Sequence, residues 1–123
     1  MYNKYMLKKQ FRLKKNSAFT ATYKVKNSSH KGGVTLFVGI KKKDSATCTK
    51  VGFVVSKKTH KRAVKRNRLK RLMRESYRLL MKTNSLGESQ KYMSLIFIGH
   101  SGALDKNFKQ IQQNVEFLIK NVK

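Results

Sequence analysis

The chain of 123 residues carries 30 Lys+Arg against five Asp+Glu, a net charge of +25, with 39% apolar residues. That length supports one domain with a modest core, and that charge repels itself unless an anionic partner (RNA, DNA or an anionic membrane) compensates it. A lone cysteine, Cys48, excludes an internal disulfide framework and any zinc site built on two or more cysteines, while the lack of any long apolar run excludes a membrane-spanning helix.

From the N-terminus, MYNKYMLKKQFRLKK is basic but lacks the apolar stretch of a secretion signal, so the expected setting is cytoplasmic. Residues 1–12 show no periodicity and read as a flexible basic arm. Asn16 or Ser17 offers an N-cap to a short helix over about 17–25. Its aromatics Phe19 and Tyr23, four apart, share one face. Asn27–Gly33 (NSSHKGG) is rich in turn residues. Val34–Ile40 (VTLFVGI) and Val51–Ser56 (VGFVVS) read as strands, joined by a polar connection holding Cys48. A long helix follows over about 61–82, with Leu69, Leu72, Met73, Ser76 and Leu80 as its buried stripe. Tyr92–Ile98 (YMSLIFI) is a continuous apolar run and reads as a central strand. Asp105 can cap a final helix whose stripe is Phe108, Ile111, Val115, Leu118, Ile119 and Val122. No repeat or boundary divides residues 1–123, so the reading is one α+β domain, a two-layer sandwich of helices on a sheet. The strand–helix–strand piece predicts parallel pairing, and the general rule predicts a right-handed crossover.

The charge is not evenly spread. Residues 1–74 hold 23 of the basic residues and one acid, Asp44; the densest stretch, Lys57–Arg74, has ten Lys+Arg in eighteen residues and no acid. On the long helix, Lys61, Arg62, Lys65, Arg66, Arg68, Lys70, Arg71 and Arg74 cover nearly all of the non-core surface. Neighbours three and four apart repel one another there, and a merely solvated face would interleave Glu. A phosphate-binding helix is the better reading, since Arg presents a planar fork to phosphate and Lys a point charge. Asn67, an uncharged amide inside this run, can meet a base or ribose edge or only cap local structure.

Phe19, Tyr23 and Phe37 lie beside basic residues and offer faces for unpaired bases. Spacing alone reads all three as core, with Phe108 as core and Phe117 at an edge. Catalytic patterns are thin. The five acids show no paired-carboxylate or metal-ligand spacing. His30, His60 and His100 fit an acid–base set for RNA cleavage in principle, but their loop-like positions favour ordinary surface histidines. Cys48 reads as an incidental thiol.

Two stretches, Val51-Gly52-Phe53-Val54-Val55-Ser56-Lys57-Lys58 and Arg66-Asn67-Arg68-Leu69-Lys70-Arg71-Leu72-Met73-Arg74-Glu75-Ser76-Tyr77-Arg78, together resemble the protein subunit family of bacterial ribonuclease P. Arg12-Leu13 followed by Phe19 and Tyr23 is similar to that family's first helix, and the last strand and helix fall in order. The segment Thr59–Val64 is one residue longer than the Gly-Asn-Ala-Val version common in the family. The resemblance implies the order α-β-β-β-α-β-α, a short first strand near Val25–His30, and a left-handed crossover against the general rule.

The resemblance also implies a division of labour. A catalytic RNA subunit removes the 5′ leader of precursor tRNA by Mg²⁺-dependent hydrolysis, with Mg²⁺ held mainly by RNA and substrate. The protein, one per RNA, contributes no catalytic residue and no metal ligand. Arg66, Asn67, Arg68, Lys70, Arg71 and Arg74 match the RNA-binding helix. The charge pattern adds Lys61, Arg62 and Lys65. Phe19, Tyr23, Ser56, Lys57 and Lys58 match the leader cleft, with Phe37 as the facing aromatic, which reverses the core reading of Phe19 and Tyr23. The alternatives are a structural RNA binder of ribosomal type, a ribonuclease acting through its own histidines, and a basic amphipathic membrane binder, against which the three apolar strands argue.

Overall fold

The computed structural model describes residues 7–44 and 46–122. Alternation along Val34–Val38 sets its frame. Val34, Leu36 and Val38 are buried, while Thr35 and Phe37 face the other side. This strand is β2. It pairs antiparallel with β1, Asn27–Lys31, and with β4, Ser94–Gly99. β3, Lys50–Val54, pairs parallel with β4, which gives the order β1-β2-β4-β3. The helices are α1, Asn16–Lys24, α2, Ala63–Lys82, and α3, Phe108–Lys120. The α-β-β-β-α-β-α order matches what the family resemblance implies, and the parallel pairing across α2 matches the reading of the residues.

One sheet face carries the main core. Leu36, Val51, Leu95 and Phe97 pack there against Leu69, Met73 and Tyr77 of α2 and Ile111, Val115 and Leu118 of α3. Phe97 packs on Phe53 (stacked, 5.7 Å) and on Tyr77 (edge-on, 5.9 Å), and those two rings meet each other at 6.2 Å. Ile96, of opposite parity to Phe97, is fully buried on the other face, beside Phe37 of β2 and Gly52 of β3 in register. α1 covers that end of the face, and Thr22 ties it down through a 2.6 Å hydroxyl contact with Ser94.

Several boundaries differ from the sequence reading. The turn-rich stretch holds β1, closed onto β2 by Gly32 and Gly33, both at positive φ (58° and 85°), a conformation that favours glycine. The first of the described residues do not form a loose arm. Leu7 is 4% exposed in the core cluster, Lys9–Phe11 make a 3-10 turn, and Arg12 bridges Val51 as a parallel extension of the sheet. Residues 1–6 of the expected arm lie outside the described residues. The cap of α1 is Lys15, with no side-chain bond, so neither Asn16 nor Ser17 caps it. The last helix is capped by Asn107, not Asp105: Asn107 accepts from the Gln110 N–H (2.9 Å) while Gln110 Oε1 accepts from the Asn107 N–H (3.0 Å), a reciprocal capping box.

Candidate nucleic-acid interface

Burial of Leu69, Leu72, Met73, Ser76, Tyr77 and Leu80 fixes which way α2 faces. The rest of its circumference is left to the cations. Lys61, Arg62, Lys65, Asn67 and Arg71 are exposed; Arg66, Arg68, Lys70 and Arg74 are half-buried. Glu75 is the one acid in the helix sequence. The ion pairs Glu88–Lys91 and Glu116–Lys120 lie elsewhere.

Two arginines of the Arg66-Asn67-Arg68 run also hold their own chain. Arg66 Nη1 donates to the His60 and Lys61 carbonyls (2.8 and 3.0 Å), folding back over the lead-in to the helix. His60 Nδ1 accepts from the Arg62 N–H (3.0 Å), so the longer 59–64 segment is a bonded turn. Arg68 reaches across to the loop before α3. Its Nη1 donates to the Leu104 carbonyl (3.1 Å) and its Nη2 to the Lys106 carbonyl (3.2 Å). Nothing in the spacing of the sequence signals that contact.

The aromatic residues gather on the sheet face opposite the main core. Tyr23 of α1 meets Phe37 of β2 edge-on at 5.0 Å, and partial burial raises the Tyr23 phenol pKa. Phe19 lies on Gly52, where an added Cβ would sit 2.7 Å from its Cζ, so that glycine gives the ring its seat. All three rings are half-buried, unlike the wholly enclosed Tyr77 and Phe97. Ser56, Lys57 and Lys58 are exposed just past β3 in a turn closed by the Thr59 N–H on the Ser56 carbonyl (3.0 Å). At roughly 3.3 Å per residue, Ser56 stands about 13 Å along the chain from Gly52. Lys57 and Lys58 thus follow the strand on which the Phe19 ring is seated.

Arg74 lies over the Phe53 ring at 5.8 Å. Its guanidinium pKa is lowered by burial first and by the nearby Arg12 charge second. Two of the three histidines come together: His30 Nδ1 and His100 Nε2 each contact Thr35 Oγ1 at 2.9 Å. His60 is bonded separately at the start of α2, so the structure does not assemble the three as one group. Among the described residues no three His, Cys, Asp or Glu side chains cluster as metal ligands, and no helix is long and apolar enough to cross a membrane.

Comparison with known proteins places the whole described chain in one family. The Ribonuclease P family model matches residues 7–123. A ribonuclease P protein component of Clostridium novyi is 33% identical over 114 residues, covering 93% of this chain and 95% of the relative. One from Symbiobacterium thermophilum is 36% identical over 113 residues, covering 91% and 90%. The structure of the Staphylococcus aureus RNase P protein superposes with a TM-score of 0.74 at 29% identity, over 91% of this chain and 94% of that one. Given the strongly basic helix, the aromatic sheet face and these matches along almost the whole length, the chain belongs to the ribonuclease P protein component family.

Proposed function

We propose that this subunit binds the RNase P RNA through α2 and holds the 5′ leader of precursor tRNA on the sheet face beneath α1. The observation that carries the reading is the convergence of Phe19, Tyr23 and Phe37, from two elements, on the sheet face away from the main core. Lys61, Arg62, Lys65, Arg66, Asn67, Arg68, Lys70, Arg71 and Arg74 meet the RNA subunit. Phe19, Tyr23 and Phe37 stack on leader bases, and Ser56, Lys57 and Lys58 meet leader phosphates.

Each part follows from the physics of its residues. A base stacked on an aromatic ring is worth roughly 1–3 kcal/mol. Each neutralised phosphate releases counterions and makes affinity steeply dependent on salt. Mature tRNA has no leader, so this binding energy favours precursor over product. The protein supplies position and charge; hydrolysis belongs to the RNA, with Mg²⁺ held by RNA and substrate phosphates. A cationic surface lowers the repulsion between two polyanions, which lowers the Mg²⁺ concentration that their assembly requires.

The test is equilibrium binding of precursor and mature tRNA to the reconstituted complex, beside the RNA alone. The reading requires the protein to tighten precursor binding at least tenfold more than mature tRNA binding. Equal tightening of both would leave a structural RNA binder as the better account.

A further inference from the structure

Around the edge of β3 lies a cavity of about 280 Å³, lined by Arg12, Leu13, Phe19, Val51, Phe53 and Arg74 among others. It sits where the two proposed surfaces meet, since Phe19 belongs to the proposed leader surface and Arg74 to the basic helix. Its chemistry differs from that of the surrounding basic surface. Two guanidiniums, from segments 62 residues apart in sequence, share one cavity, and neither forms an ion pair with a described carboxylate.

Both arginines are fixed from behind. Arg12 Nε donates to the Leu7 carbonyl at 2.6 Å, and Arg12 is also bridged to Val51. That leaves its terminal nitrogens without a hydrogen bond to a described residue. Arg74 is laid over Phe53. Burial, and secondly the Arg12 charge, disfavour the charged form of Arg74. Leu13, Val51 and Phe53 give the cavity an apolar floor, where an ionic contact is screened less than on the open surface. A forked pair of guanidiniums on an apolar floor fits a tetrahedral anion with several acceptor oxygens.

We propose that this cavity holds one RNA phosphodiester, its non-bridging oxygens gripped by Arg12 and Arg74 together, with the attached sugar and base against Leu13 and Phe19. The identity of the RNA rests on the function proposed above; the cavity itself does not. The phosphate belongs either to the RNA subunit or to the leader, and the two sources share this chemistry.

The experiment is a double-mutant cycle with Arg12→Gln and Arg74→Gln in the full chain. Three ligands are used: the RNA subunit, leader-bearing precursor tRNA on the reconstituted complex, and an unrelated single-stranded RNA oligonucleotide. Two groups gripping one phosphate are coupled, whereas independent charges add. Each single variant should weaken binding about tenfold, and the double variant by little more than either single. The pair Arg12→Gln with Lys57→Ala should add to about a hundredfold. The arm showing the coupled loss identifies the source: the RNA subunit alone, or only the leader-bearing precursor. Additive losses for Arg12 and Arg74 in every arm, or no loss, would overturn the proposal. If the Gln variants melt, the cycle is repeated with Arg12→Lys and Arg74→Lys, which keep the charge and remove the fork. Coupled loss with the oligonucleotide, when the wild-type protein ignores the RNA subunit, would sink the proposed function and leave the cavity standing.

Discussion

Replacing Arg68 by Ala tests whether the Arg66-Asn67-Arg68 run is built only to meet RNA. The Arg68 fork donates to the Leu104 and Lys106 carbonyls at 3.1 and 3.2 Å, tying α2 to the loop that leads into α3. Hydrogen bonds from a charged donor are worth about 1.5–3 kcal/mol each. The guanidinium is only half-buried, so water replaces part of that, and a loss of about 2 kcal/mol for the pair is expected. For a domain of this size, 1 kcal/mol moves Tm by roughly 3–5 °C, so the shift should be about 6–10 °C downward. Thermal unfolding by circular dichroism in one buffer reads it directly. Arg68→Lys, which keeps the charge but cannot fork onto two carbonyls, should lose most of the same stability. Lys65→Ala, at an exposed position, should leave Tm almost unmoved or raise it slightly by relieving repulsion. An Arg68→Ala variant melting within about 1 °C of wild type would refute a structural role for this fork.

Other residues make separate predictions. Phe19→Ala should weaken precursor tRNA binding by the reconstituted complex about tenfold, in line with one lost stacking surface, while mature tRNA binding stays put; equal losses would indicate a folding defect. Lys65→Ala should flatten the salt dependence of RNA-subunit binding by about one unit of log–log slope, and an unchanged slope would remove it from the interface. Tyr77 is fully buried with its phenol oxygen accepting from Gln90 Nε2 at 3.1 Å, and burial pushes its pKa up to about 12. Its folded value is raised, so its contribution is intact below pH ~10 and is lost as pH climbs towards 12, by about 3 kcal/mol at most. Urea unfolding at pH 9 and 11.5 should therefore show a smaller drop in Tyr77→Phe than in wild type; identical drops would contradict this.

Apolar periodicity makes most of the fold legible. The stripe Leu69–Leu80 alone orients α2, and YMSLIFI marks the central strand, although the regular strand starts only at Ser94, with Tyr92 held before it by an isolated bridge to Lys41. β1 is invisible to that criterion because NSSHK is exposed throughout and is held by its backbone ladder to β2. Leu7 escapes it because its burial comes from the packing of distant elements. The cap of α3 was readable: Gln110 stands three residues after Asn107, the reciprocal partner that Asp105 lacks.

The site was half legible. Spacing put Phe19 and Tyr23 on one face of a helix, but not which sheet face they meet; the family resemblance, rather than periodicity, pointed away from the core. The carbonyl contacts of Arg68 and the meeting of His30 and Thr35 with His100 join residues more than thirty positions apart, and composition carries no trace of either.

The most direct test of the subunit reading is single-turnover cleavage of a precursor tRNA at low Mg²⁺ by the protein alone, a bacterial RNase P RNA alone, and the two together. The account predicts rapid cleavage at the mature 5′ end in the mixture only. Cleavage by the protein alone, or tight RNA binding with no gain in cleavage, would contradict it.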